Sequence, residues 1–171
     1  MASDTEQLES LARLHALFDR HGIEYWLFGG WAVDFHAESV TRPHDDVDLA
    51  VWAEDYERIS ELLNADGWKR APEPGEDGYT GYAREGVRLE LAFLARNEDG
   101  EVYTPLREGR GDWPRGAFGT DVLKLGRVTA RTITLAALEQ DKSEAHDDPR
   151  VAAKDRADMT ILSCLKRELR G

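Results

Sequence analysis

Two glycines, Gly29 and Gly30, are followed a short way along the chain by Asp46-Val47-Asp48. On a strand, residues i and i+2 point from the same face, so Asp46 and Asp48 are expected to project together. Like charges that close repel in a site shielded from water, and a cation between them relieves the repulsion. Hard carboxylate oxygens that leave room for phosphate oxygens suit magnesium. A glycine pair ahead of a helix offers backbone N–H groups to phosphate. A phosphate cradle beside a magnesium clamp implies nucleotide chemistry.

A third carboxylate joins them by strand alternation. Val87, Leu89, Leu91 and Phe93 alternate with Arg88, Glu90 and Ala92, so Glu90 projects from the face opposite the apolar one. Beside an Asp-x-Asp strand it is a candidate catalytic carboxylate. Alone it would read as a solvated surface charge next to Arg88.

The elements that must carry these residues are legible. Ser3-Asp4-Thr5-Glu6 is a capping box, Leu8, Leu11, Ala12, His15 and Phe18 follow at helical spacing, and Gly22 is placed to end that helix. Glu24 to Phe28 predicts a strand running into a glycine turn, with a short helix over Trp31 to His36. Val47 to Trp52 predicts a strand, and Glu54 to Asp66 a helix with Tyr56, Ile59, Leu62 and Leu63 on one face, ended by Gly67. Tyr79 to Arg84 and Val87 to Ala95 bracket Glu85-Gly86 as a hairpin. Residues 108–119 read as a long loop over a site, and Arg127 to Arg131 as a last short strand. Thr134 caps a helix reaching about Ala145, and Pro149 opens another to about Leu169. The expected architecture is α/β of the α+β kind: a mixed sheet with flanking helices, a core over residues 1–131, and a C-terminal helical pair over 132–171.

Composition narrows the class. The chain has 171 residues, 41% hydrophobic, with a formal net charge of −12, enough apolar content for a core. An acidic chain without a basic stripe is a poor nucleic-acid binder, whereas its field draws cationic small molecules toward a cleft. Cys164 sits among Met159, Ile161, Leu162 and Leu165 and is expected in the core. With one cysteine, no intrachain disulfide can form, which fits a reducing cytoplasm. The N-terminal residues have neither the basic nor the apolar run of a signal peptide, and no segment has the roughly 20 apolar residues of a membrane span. The expectation is a soluble cytoplasmic protein, monomer or homodimer, with no membrane or nucleic-acid partner.

Gly29-Gly30-Trp31-Ala32-Val33-Asp34, followed by Thr41-Arg42-Pro43-His44-Asp45-Asp46-Val47-Asp48-Leu49, resembles the small antibiotic nucleotidyltransferases. These are the aminoglycoside 2''-adenylyltransferases and lincosamide nucleotidyltransferases of the DNA polymerase beta superfamily. The close resemblance covers about Tyr25 to Trp52 and weakens through Glu90 and the Lys154-Asp155 helix.

The resemblance implies a nucleotidyltransferase fold and transfer of a nucleoside monophosphate from an NTP, ATP first, to a hydroxyl of a small cationic acceptor such as an aminoglycoside or lincosamide. It implies Mg2+ on Asp46 and Asp48, with Glu90 as general base or further metal ligand where the family commonly has Asp. Gly29, Gly30 and the Trp31 N–H would cradle phosphates. Arg42 and His44 would touch phosphate or orient Asp46 and Lys154 would reach a phosphate, with Lys142 a weaker candidate. Asp34 would brace the glycine turn, and Asp45 would accept an N–H or stand behind the metal ligands. A solvated helix face is the alternative for Lys154 beside Asp155 and Asp158, and hydrogen bonding within the fold for Arg42 and His44. Glu76, Asp77, Tyr79, Tyr82, Asp112 and Trp113 are the acceptor-side candidates, each with an ordinary packing alternative. A nucleotidyltransferase that modifies a partner protein, or a non-catalytic nucleotide-binding domain, are the competing readings.

Overall fold

A computed structural model describes residues 2–143 and 148–170. Helix α1 (Asp4–Arg20) opens with the expected capping box: Ser3 Oγ accepts the Glu6 N–H while Glu6 accepts the Ser3 N–H. Strand β1 (Tyr25–Phe28) passes directly into α2 (Gly29–Ala37). Gly29 takes φ +69° at this junction, a left-handed conformation that glycine adopts at no steric cost. The glycines are therefore the first residues of the helix itself, not a turn ahead of it.

Strand β2 (Val47–Trp52) is followed by a 3-10 turn and α3 (Tyr56–Ala65), so the expected helix from Glu54 has a tighter first turn. Strands β3 (Lys69–Arg70), β4 (Tyr79–Arg84), β5 (Val87–Arg96), β6 (Val102–Pro105) and β7 (Arg110–Asp112) complete a seven-stranded mixed sheet. Its path is β1-β2-β5-β4-β3, with β6 pairing β5 and β7 pairing β6. The β2–β5 pair is parallel and the others are antiparallel. A separate hairpin joins β8 (Val122–Leu125) to β9 (Val128–Arg131) around Gly126.

Four strands, β3, β6, β7 and β8, exceed the sequence expectation. β3 has two exposed residues and no alternation to detect. β6 is four residues ending in Pro105 and held by pairing with β5 and β7. β7 is a three-residue insert in the segment read as loop, held by pairing with β6 rather than by its own Arg-Gly-Asp composition. β8 matches β9 across Gly126, although its residues before Leu125 are exposed or half-buried.

Helices α4 (Leu135–Ser143) and α5 (Pro149–Arg170) pack against α2. Thr134 caps α4 through its hydroxyl on the Ala137 N–H, and the stretch expected to extend α4 to Ala145 lies outside the described residues. α5 buries Asp155, Asp158 and Leu162. Cys164, two positions on, is rotated about 200° from Leu162 and is exposed, which corrects the expectation of a core thiol. No helix among the described residues is long and apolar enough to cross a membrane.

One core joins Leu11, Leu14 and Phe18 of α1 and Ile59 and Leu63 of α3 to the inward residues of β2 and β5, Val47, Leu49, Val51, Leu89 and Leu91. Leu49 is fully buried. Leu49→Ala should lower unfolding free energy by about 2–5 kcal/mol. Leu169→Ala, at a residue 78% exposed, should stay within about 0.5 kcal/mol; urea denaturation measures both.

Candidate active site

The parallel register sets Asp48 directly opposite Glu90, with Val47 opposite Leu89 and Leu49 opposite Leu91. The apolar residues enter the core, so the carboxylates share the other face. Asp46 lies just ahead of β2 on that same face. One oxygen from each of Asp46, Asp48 and Glu90 falls within 4.8 Å of the others.

Their electrostatics are those of mutually repelling, partly buried carboxyls. Burial, then the charges of Asp46 and Glu90, push Asp48 well above the usual carboxylate range. Burial and Asp45 raise Asp46, while burial and Asp46 raise Glu90. Arg88 and Lys154 oppose the rise at Asp46, and Arg88 that at Glu90, without cancelling it. An all-oxygen, half-buried trio with mutually raised carboxyls fits a hard divalent ion such as magnesium.

The glycine helix starts against this trio. A Cβ on Gly29 would overlap Asp48 Oδ2, and one on Gly30 would overlap Arg42 Nη2 and lie 2.6 Å from His44 Nδ1. Both positions must be bare for the helix N-terminus to approach the carboxylates. Its first N–H groups, including that of Trp31, have no partner within the helix and carry its positive dipole end.

Buried side chains hold this arrangement. The Trp31 side chain is buried, its Nε1–H donates to Gln7 Oε1 at 2.9 Å, and its ring lies 4.2 Å from that of His44. Gln7 Nε2 donates to the His44 carbonyl at 2.7 Å. His44 is 3% exposed, with Nε2 2.6 Å from Asp34 Oδ2 and Nδ1 3.2 Å from Arg42 Nη1. Arginine only donates, so Nδ1 accepts and Nε2–H donates to Asp34. Thr41 Oγ1 also donates to Asp34, so Asp34 braces the connection from α2 to β2 rather than the glycine junction. Gln7 escaped the sequence reading because one glutamine in an amphipathic helix carries no signal.

A charge network ties the C-terminal helices to the same point. Arg42 pairs bidentately with Asp158, both bonds 2.9 Å, and also donates to the Pro43 carbonyl. Lys142 Nζ lies 3.0 Å from Asp155 Oδ1 and 3.1 Å from Asp158 Oδ2. Burial works against charge on Asp158, but Arg42 and Lys142 hold its carboxyl below the ordinary range. Lys154 pairs with Asp45. A cavity of about 150 Å³ is bounded by Gly29, Gly30, Asp46, Asp48, Lys142 and Lys154, among others. Asp155 and Asp158 are thus buried rather than on a solvated helix face. With Leu162 they occur at i, i+3 and i+7, a helical stripe whose two charges hid it.

The model of the aminoglycoside-2''-adenylyltransferase family matches residues 10–162. The chain belongs to this family. A 2''-aminoglycoside nucleotidyltransferase of Escherichia coli is 38% identical over 63 residues, 35% of this chain and 36% of that protein. One from Klebsiella pneumoniae is 41% identical over 46 residues, 27% and 26% of the two chains. These matches span about a third or less of the curated relatives' length.

Among solved structures, the lincosamide antibiotic adenylyltransferase LnuA, lincomycin-bound, superposes with a TM-score of 0.73 at 20% identity, covering 92% of this chain and 96% of that one. The antibiotic-resistance factor ANT(2'')-Ia gives 0.71 at 20%, covering 98% and 92%. Its complex with adenylyl-2''-tobramycin gives 0.70 at 18%, covering 96% and 99%. At these identities the likeness establishes the fold, a nucleotidyltransferase fold.

Within this family member, the acceptor-side candidates separate. Tyr82 is fully buried and shares hydrogen bonds with Ser60 and Tyr56, so it belongs to the core. Glu76 accepts from the backbone of Glu73 and Gly81 and from Thr80. Asp77 accepts the Arg107 N–H, and Asp112 pairs with Arg110. Trp113 stacks edge-on against Phe28, the residue opposite Asp48, and donates to Thr104. Tyr79 lies close enough to Glu90 for that charge, after burial, to raise its hydroxyl pKa.

The raised carboxyls carry a stability consequence. A carboxyl raised by folding contributes its stability below its unfolded pKa, about 3.9 for Asp, and loses it as pH rises through the folded value. Asp48→Asn should therefore raise the thermal midpoint of metal-free protein, and the gain should grow from pH 4 to pH 8. Calorimetric melts in EDTA measure it.

Proposed function

We propose that this protein transfers a nucleoside monophosphate from an NTP, with ATP the first candidate, to a hydroxyl of a cationic antibiotic of the aminoglycoside or lincosamide class. The observation that carries the reading is the convergence of Asp46, Asp48 and Glu90 on the N-terminus of the Gly29-Gly30 helix. Family membership supports the acceptor class, and so does the lincomycin-bound neighbour's fold. The net charge of −12 favours a cationic acceptor.

Asp46, Asp48 and Glu90 would hold magnesium, which neutralises triphosphate charge and polarises the reacting phosphoryl group. The N–H groups of Gly29, Gly30 and Trp31 bind phosphate oxygens at the positive end of α2. Lys142 and Lys154 supply cationic charge on the C-terminal side of the same cavity. Arg42 and His44 act at one remove: His44 packs beneath Trp31, while Arg42 fastens α5 to the strand entry. Glu90 takes the proton of the acceptor hydroxyl as its oxygen bonds to the α-phosphorus. The bond from that phosphorus to the bridging α,β oxygen breaks, and pyrophosphate leaves with the electron pair.

The test is incubation with labelled ATP, GTP, CTP or UTP, magnesium and a panel of aminoglycosides and lincosamides. Labelled antibiotic and pyrophosphate are expected; label on protein, or none, would reject the reading. Asp46→Ala and Asp48→Ala should abolish transfer. Glu90→Gln should cut kcat by about 10²–10⁴-fold, the usual worth of general-base help.

A further inference from the structure

Beside Glu90, one residue of β4 is a glycine with no turn to explain it. Gly81 stands directly opposite Glu90 in the β4–β5 register. Its φ is not among the left-handed glycine values, so the backbone does not demand glycine there. Space does: a Cβ would overlap Arg88 Nη2 and lie 2.7 Å from the Ala71 carbonyl oxygen. Arg88 lies on the Glu90 face, two residues earlier on β5, and crosses β4 over this bare position.

Across Gly81, Arg88 grips residues 71–78. Its Nη1 donates to the Ala71 carbonyl at 3.1 Å, and its Nη2 lies 3.1 Å from Glu73 Oε1. Gly81 adds two backbone bonds: its N–H donates to Glu76 Oε1 at 3.1 Å, and its carbonyl accepts the Ala71 N–H at 2.9 Å. Burial works against charge on Glu76, yet the N–H groups of Glu73 and Gly81, with Thr80 and Arg70, hold it below the ordinary Glu range. Glu73, half-exposed, and Tyr79 both lie within electrostatic reach of Glu90. This segment therefore borders the third carboxylate on the side away from the Gly29-Gly30 helix and the lysines.

We propose that Arg88 and Gly81 form a clasp that positions residues 71–78, with Tyr79, as the acceptor-side wall of the site. Arg88 is a positioning residue: it sets acceptor affinity and leaves the nucleotide to Gly29, Gly30 and the C-terminal lysines. An acceptor bearing ammonium groups meets Glu73 on this wall, beside the base that takes its hydroxyl proton. The proposal rests on the transfer reading above.

The test compares wild type with Arg88→Ala, Gly81→Ala and Arg88→Lys, using kinetics and amide hydrogen exchange. Arg88→Ala should raise acceptor KM by about tenfold or more, the loss expected for bonds made by a charged group, and by a larger factor than nucleotide KM, which the lost charge near Asp46 and Glu90 also touches. Gly81→Ala keeps the arginine but evicts it, and should reproduce that split. Arg88→Lys, a point charge unable to span both partners, should fall between. Exchange across residues 71–81 should quicken in both alanine variants, whether or not any acceptor turns over. Unchanged exchange there, or a nucleotide KM that rises as far as the acceptor's, overturns the clasp. Quickened exchange in a protein that transfers to no acceptor overturns the transfer reading and the acceptor role together, leaving the clasp as a purely architectural feature.

Discussion

Three carboxylates held within 4.8 Å of one another are the constraint on which the rest of this molecule depends. Such a trio repels itself, and partial burial strengthens the repulsion. The fold imposes it through backbone register: Asp48 and Glu90 are locked opposite each other by the parallel β2–β5 pair. The inward neighbours of those residues form the centre of the core. Separating the carboxylates would mean slipping a strand and turning its apolar set outward. Hydrophobic burial thus holds the charges in a geometry they would not adopt alone.

Around the trio, opposing charges occupy specific sides. The N-terminus of α2 reaches it because Gly29 and Gly30 have no side chains. Lys142 and Arg42 are fixed by Asp155 and Asp158, so the basic groups of the C-terminal side are themselves anchored. Arg88 stands on the opposite side, across β4. These groups ease the repulsion without ending it, and the carboxyls stay raised. The two kinds of charge respond oppositely to acid. Protonation relieves the trio, whereas Asp158, held low by Arg42 and Lys142, loses its pairing as pH falls through its depressed pKa.

Much of this was legible in the sequence, for identifiable reasons. Strand alternation put Asp46 and Asp48 on one face of their strand and Glu90 on the non-core face of another, because Val47, Leu49, Leu89 and Leu91 alternate with them. The parallel pairing that sets them side by side joins residues far apart in sequence. The capping box at Ser3 and the cap at Thr134 are local signals and appear where expected. What stayed hidden depends on contacts distant in sequence. Gln7 reaches His44, Arg42 reaches Asp158, and Arg88 reaches Ala71. Cys164 was misread because its apolar neighbours outweighed a helix face marked by two aspartates. Strand β7 was missed because it owes its pairing to β6, not to its own residues.

We propose that the trio is a cation site whose repulsion the ion relieves. Magnesium titration by calorimetry in buffers of different ionisation enthalpy tests it most directly, run just above the ordinary carboxylate range. Raised carboxyls must give up protons when a metal binds, so wild type should bind magnesium with net proton release, and Asp48→Asn should lose both. Magnesium binding with no proton release, or binding that survives Asp48→Asn unchanged, would contradict the account.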